Sequence, residues 1–215
     1  MSTTDSDPRG SYKGIVVAIG GPPHSGKSVF LAELYRQLLA RRPSGTFLQR
    51  ACPDGEGMWS AESDPTLVAE IRRKGTFSSE FMGFTLKSVE RLGRTMSIVL
   101  LDLGGRRTAE NAEILRRSSH LLVLSSKDTE CQPWCEFAEA EGCKPLAILG
   151  SRLVKGVDGS LDQTVRSWVD TSARPVHGEM LNLDRQTSSS PYAEAIGQFA
   201  DWLIAEADRY RLCRG

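Results

Sequence analysis

One stretch restricts the fold more than any other: an apolar run that leads straight into a glycine turn and then into an amphipathic segment. Ile15 to Gly20 reads Ile-Val-Val-Ala-Ile-Gly, the pattern of a strand covered on both faces. From Ser28 to Arg41, Phe30, Leu31, Leu34 and Leu38 fall at helical spacing, and Pro43 lies past the end. Between the two stand Gly21–Pro22–Pro23–His24–Ser25–Gly26–Lys27–Ser28, which spell G-x-x-x-x-G-K-[ST]. A turn of this kind between a strand and a helix is built to hold phosphate. Gly26 lets the backbone approach an anion closely, and the amides and dipole of the helix start favour its charge. Pro22 and Pro23 have no N–H, so the donors are expected from His24, Ser25, Gly26, Lys27, Ser28 and Val29, with Gly21 opening the turn.

Apolar strands alternate with amphipathic stretches through the first 150 residues, a rhythm that predicts βαβ units and a parallel sheet. Thr46 to Ala51 reads as a second strand. Helices are expected from Asp64–Pro65 to Gly75 and from Ser79 to Leu92, making residues 64–93 a helical insert. Ser97 to Leu101 reads as a third strand ending at Asp102, and Thr108 is placed to cap a helix reaching Arg117. Strands at His120–Ser125 and Leu146–Gly150 flank a short helix over Trp134–Glu141. From Ser151 to Ser190 the pattern weakens, with Val176–Leu183 as a further strand-like run. Ser190–Pro191 then reads as the cap and first position of a last helix that buries Ile196, Phe199, Leu203 and Ala207 against the sheet. Residues 1–12 are polar and are expected to form a flexible tail, leaving 13–215 as a single domain.

Charge and cysteine usage narrow the function classes. The 27 Lys and Arg balance 27 Asp and Glu, so net charge gives no indication of nucleic-acid binding. The longest nearly apolar run, Ile98–Leu103, is interrupted by Asp102 and falls far short of the ~20 residues a membrane span needs. Five cysteines without a repeated C-x-x-C pair argue against a disulfide scaffold and fit a cytoplasmic protein. Cys131, Cys135 and Cys143 cluster, with His120 as a fourth conceivable metal ligand, but the spacing lacks the paired short loops of structural zinc sites.

The glycine-lysine string resembles that of P-loop nucleoside triphosphatases, and further residues can be placed in that light. Lys27 is expected at the β and γ phosphates, Ser28 on Mg²⁺ through its hydroxyl, and Asp102 as the acidic residue completing the metal shell. Asp102–Leu103–Gly104–Gly105 spells D-x-x-G, which would bring the Gly105 amide to the terminal phosphate. Arg106 and Arg107 follow at once, and either can serve as an internal cation for the transferring group. No Asn-Lys-x-Asp string follows a later strand, so guanine specificity has no support. Asp102 is not followed by Glu, which disfavours a mechanical ATPase, and a second lysine of the MinD-like type is absent. The residues sit closest to the kinase and GTPase branch.

A second segment, Arg50–Ala51–Cys52–Pro53–Asp54–Gly55–Glu56–Gly57–Met58–Trp59–Ser60, follows strand two, at the sheet edge where open α/β sheets bind ligands. Asp54 or Glu56 is placed to take a proton from an attacking hydroxyl, with Trp59 as a stacking surface. An Asp- and Gly-rich surface turn with a core tryptophan accounts for the same residues equally well.

Taken together, GGPPHSGKS, RACPDGEGMWS and LLDLGGR resemble the P-loop domain attached to certain CRISPR-associated proteins of the cyclic-oligoadenylate ring-nuclease type, over about residues 14–150. Nothing in the chain resembles the ring-nuclease domain itself. The resemblance implies nucleotide binding in a prokaryotic defence setting and a CRISPR-associated partner. The expected fold is a three-layer α/β/α P-loop NTPase domain with a mainly parallel sheet of about five strands. The expected activity is Mg²⁺-dependent binding and hydrolysis of a nucleoside triphosphate, ATP foremost. Transfer of the phosphoryl group to a small-molecule or nucleotide hydroxyl is the alternative, and a nucleotide-sensing switch is a third.

Overall fold

The computed structural model describes residues 7–52, 79–185 and 188–213. Seven strands form one sheet: β1 (Ile15–Gly20), β2 (Thr46–Arg50), β3 (Ile98–Asp102), β4 (His120–Ser125), β5 (Lys144–Arg152), β6 (Trp168–Asp170) and β7 (Val176–Leu181). Their order is β2-β3-β1-β4-β5-β7-β6, and every neighbouring pair is parallel except β6 against β7. Five helices complete the described elements: α1 (Lys27–Arg41), α2 (Ser79–Thr95), α3 (Ala109–Arg116), α4 (Asp128–Glu139) and α5 (Ala193–Leu212).

Alternation along the strands sorts the helices into two layers. On β1, Ile15, Val17 and Ile19 join one apolar cluster with Phe30, Leu31, Leu34 and Leu38 of α1 and Ile196, Phe199 and Leu203 of α5. Val16 and Ala18 face the opposite way, into a cluster with Val89 of α2, Ile114 and Leu115 of α3, and Trp134 and Ala138 of α4. The result is a three-layer α/β/α arrangement around a strand buried on both faces, as its unbroken apolar run requires.

The sheet is wider than the five strands read from the sequence. The added width is β7 and β6, and neither carries a strong pattern. Trp168 and Asp170 of β6 are exposed, and the strand is three residues long. β7 interrupts its apolar residues with His177, Gly178 and Glu179.

Two helix boundaries also move. α4 begins at Asp128, six residues before the expected Trp134, and keeps Pro133 in its second turn, where the proline removes the N–H that would otherwise donate to the Thr129 carbonyl. α5 begins at Ala193 because Ser189–Pro191 are spent in a turn, with the Tyr192 N–H on the Ser189 carbonyl at 3.0 Å. Thr108 caps α3 as expected, its hydroxyl accepting from the Asn111 N–H at 3.3 Å.

Within the segment read as a tail, Pro8–Ser11 form a 3₁₀ turn. Arg9 donates to the Gly142 carbonyl at 2.7 Å, and the Tyr12 hydroxyl donates to the Arg117 carbonyl at 2.9 Å. In the expected insert, the described part is α2; its first helix lies outside the described residues. No helix among them is long and apolar enough to cross a membrane.

None of the five cysteines is in a disulfide, and among the described residues no His, Cys, Asp or Glu side chains gather as a metal site. Cys135 and Cys143 are core residues on the α3/α4 side. Burial pushes the Cys135 thiol up to about 11 and the Cys143 thiol higher still. Since the thiolate is the nucleophile, both should resist alkylation. At pH 8, iodoacetamide is expected to label exposed Cys213 within minutes while Cys143 and Cys135 stay unmodified until the protein is denatured. Peptide mass spectrometry reads this directly, and equal native labelling of Cys143 and Cys213 would contradict the packing.

Candidate functional site

All six parallel strands, β1 to β5 and β7, point their C-terminal ends to one edge of the sheet. The glycine turn occupies that edge between β1 and α1. It opens at Gly21, whose φ is +133°, and a Cβ there would lie 1.9 Å from the Leu124 carbonyl oxygen of β4. Only glycine fits, for both conformation and space. His24 is exposed and also left-handed, with φ +61°. Gly26 is the N-cap of α1 at φ +78°, with no side-chain cap on the helix start. The first amides of the helix therefore lack the side-chain acceptor that usually shields a helix N-terminus.

The turn is held from inside. Ser25 is buried, and its hydroxyl donates to the Pro22 carbonyl at 2.9 Å. Lys27 bends back over the turn, its ammonium donating to the Gly21 and Pro22 carbonyls at 3.0 and 2.7 Å and lying 3.4 Å from Ser25 Oγ. The sequence places this lysine on a bound anion. Here its ammonium bonds the carbonyls of its own turn. Ser28 and Val29 follow in the first turn of α1.

β3 brings the acidic residue to the same place. It lies directly beside β1, in a register that sets Ile19 against Asp102, and the Leu103 N–H continues the ladder onto the Ile19 carbonyl at 3.2 Å. Ile98 and Leu100 face the α1 side, so by strand alternation Asp102 projects to that side too. The carboxylate therefore stands at the C-terminal edge of the sheet, on the face covered by α1, whose first turn holds Ser28.

Past β3 the chain crosses over the turn: a Cβ on Gly105 would come within 2.8 Å of Pro23. Gly105 thus packs on the glycine turn, with Arg106 next to it. The two arginines then part company. Arg107 donates to Glu130 at 2.7 Å and lies over the Trp134 ring of α4, 5.8 Å from its centroid. The exposed Arg106 guanidinium has no hydrogen-bond or ion-pair partner among the described residues. Asn111 of α3 fixes this crossing by donating to the Arg106 carbonyl at 2.7 Å.

The structure thus gathers Gly21, His24, Ser25, Gly26, Lys27, Ser28, Val29, Asp102, Gly105 and Arg106 around one turn. Asp54, Glu56 and Trp59 lie outside the described residues. The site also has a member that the sequence reading missed. A Cβ on Gly26 would lie 2.8 Å from Cβ of Leu183, just beyond β7, so this leucine supports the back of the turn. The available signal was the Met-Leu-Asn-Leu string, where an asparagine interrupts an apolar run at a strand end.

The glycines of the turn are not equivalent to others in the chain. Gly21→Ala is expected to cost at least about 2 kcal/mol, because neither the φ nor the β4 backbone can give way. Gly150→Ala on β5 meets its first neighbour only at 3.6 Å and should stay within about 0.5 kcal/mol of the parent. Urea unfolding of the two variants provides the comparison.

No protein-family model matches the chain, and no curated protein matches it. Among solved structures that match is a nucleotide-binding protein from Archaeoglobus fulgidus in complex with ADP, with cobalt found in it. It is 19% identical, the match covers 75% of this chain and 77% of that one, and the TM-score is 0.46. At that degree of likeness the site rests on its own residues.

Proposed function

We propose that this chain is a P-loop protein that binds a nucleoside triphosphate with Mg²⁺ and cleaves its terminal phosphoanhydride, passing the phosphoryl group to water. One observation carries the reading. A complete G-x-x-x-x-G-K-[ST] string forms the turn between a doubly buried strand and a helix start without a side-chain cap, and an aspartate from the adjacent strand stands beside it. Gly26 and the first amides of α1 receive the phosphate oxygens, favoured by the helix dipole. Lys27 leaves the carbonyls of Gly21 and Pro22 for the stronger negative charge of the phosphates.

The donor set suits magnesium: the Ser28 hydroxyl and the Asp102 carboxylate are hard oxygen ligands, and strand alternation turns Asp102 toward the α1 side. When bound, the metal supplies neutralisation of charge on the terminal phosphates. Gly105 offers its amide from above Pro23, and Arg106, whose guanidinium is not engaged elsewhere among the described residues, supplies the further cation as charge develops on the transferred group. Arg107 is instead engaged by Glu130 and Trp134 of α4.

ATP is the proposed nucleotide. The end of β5 and the residues after it read Ser151–Arg152–Leu153–Val154, with no Asn-Lys-x-Asp string to read guanine. Residues 13–215 are proposed to act as one nucleotide-binding domain. A role beside a CRISPR-associated partner rests only on the sequence resemblance.

Lys27→Ala is expected to weaken ADP and ATP binding about 10–100-fold in isothermal titration, the worth of one or two charge-assisted hydrogen bonds. Unchanged affinity would defeat the site. Asp102→Asn and Ser28→Ala should lose the part of the affinity that depends on added Mg²⁺ while keeping metal-free ADP binding. In a phosphate-release assay, Arg106→Ala is expected to lower kcat about 10²–10³-fold with ADP affinity retained. Arg107→Ala should leave kcat within a few-fold of the parent. Labelled phosphate that appears only on an added acceptor, never free, would replace hydrolysis by transfer.

A further inference from the structure

β5 and β7 end side by side at the edge that holds the phosphate turn, Arg152 opposite Leu181. From β5 the chain enters an arm, residues 153–162, that folds back on itself. The Gly156 N–H donates to the Ser160 carbonyl at 2.8 Å, and the Asp162 N–H donates to the Val154 carbonyl at 2.9 Å. Lys155 and Leu161 form an antiparallel bridge between these pairs. Val154 and Asp162 are therefore the two roots of a small hairpin.

Asn182, the first residue past β7, holds both roots. It is fully buried. Its Oδ1 accepts from the Val154 N–H at 2.6 Å, its Nδ2 donates to the Asp162 carbonyl at 2.7 Å, and its own N–H donates to the Arg152 carbonyl at 2.9 Å. Its φ is +54°, a left-handed conformation that asparagine adopts more readily than other residues with a side chain. Leu183 comes next in the chain and lies against Gly26. One residue thus fixes the arm with its side-chain amide and, through its neighbour, supports the start of α1.

We propose that the Asn182 side chain couples the 153–162 arm to the Gly26 turn, joining the two into one unit, so that filling the turn restrains the arm. The inference rests on the phosphate reading above. Its physical basis is that a buried amide has no neutral way to let go: each root left without its partner costs the desolvation of a backbone group. Aspartate cannot replace it, having no donor for the Asp162 carbonyl. Glycine can keep the left-handed backbone but removes the link, which separates the two roles.

Hydrogen exchange read by mass spectrometry tests this, with magnesium pyrophosphate as the probe because it carries no nucleoside that would touch the arm. In the parent protein, saturating pyrophosphate is expected to slow exchange in residues 21–29 and, together with them, in residues 154–162, by about tenfold. In Asn182→Gly, protection of 21–29 should persist while the slowing at 154–162 disappears. Unchanged exchange in β4 and β5 of that variant shows that the fold is intact, and if the variant fails to fold the parent measurement decides. Protection of 21–29 without any effect on 154–162 in the parent, or coupled protection that survives in Asn182→Gly, overturns the coupling and leaves the phosphate site standing. Absence of protection at 21–29 in the parent overturns the phosphate reading itself, and the coupling with it.

Discussion

The architecture of the sheet's C-terminal edge depends on one close approach, the passage of Gly21 over the Leu124 carbonyl of β4. A chain leaving β1 with any side chain at that position would be pushed off the neighbouring strand. The turn would then open away from the sheet, and α1 would lose its angle of entry. With glycine there, the backbone drops onto β4, bends back through the two prolines and starts α1 at a left-handed Gly26. Every other member of the site is placed relative to that path: Gly105 against Pro23 and Leu183 against Gly26.

The order of the strands gives the site its sidedness. β3 and β4 flank β1, so the turn receives an acidic residue from one side and a supporting carbonyl from the other. Beyond them, β5 and β7 extend the same edge. The polar work is divided in the same way. Asp102 and Arg106 lie on the β3 side, while the β7 side contributes Leu183 as an apolar support and Asn182 as a buried tie.

Much of this was legible in the sequence where one strong physical signal acted alone. β1 shows itself because a strand buried on both faces must be apolar throughout. Thr108 shows itself because a hydroxyl before a helical run satisfies an otherwise unbonded N–H. Asp102 was placed as the residue after an apolar strand. The structure makes it the last residue of that strand, so its face follows from alternation with Ile98 and Leu100. What was not legible depends on tertiary partners. β6 is a short strand with two exposed residues and exists only because β7 lies beside it. The choice between Arg106 and Arg107 turned on Glu130 and Trp134, which come from a helix more than twenty residues on. Asn182 looked like an interruption in a weak strand, because nothing local reveals that its amide meets residues 20 and 28 positions earlier in the chain.

The layer of α1 and α5 has a consequence for how the protein is made. Phe30, Leu34 and Leu38 are covered in part by Phe199, Ile196 and Leu203, and the two phenyl rings sit 6.3 Å apart. During synthesis, the helix that follows the glycine turn emerges long before the helix that shields its flank. Until about residue 207 has left the ribosome, that oily flank is open to water and to other nascent chains. A chaperone that recognises short apolar stretches would find its target there, and a truncation within α5 would turn a transient exposure into a permanent one.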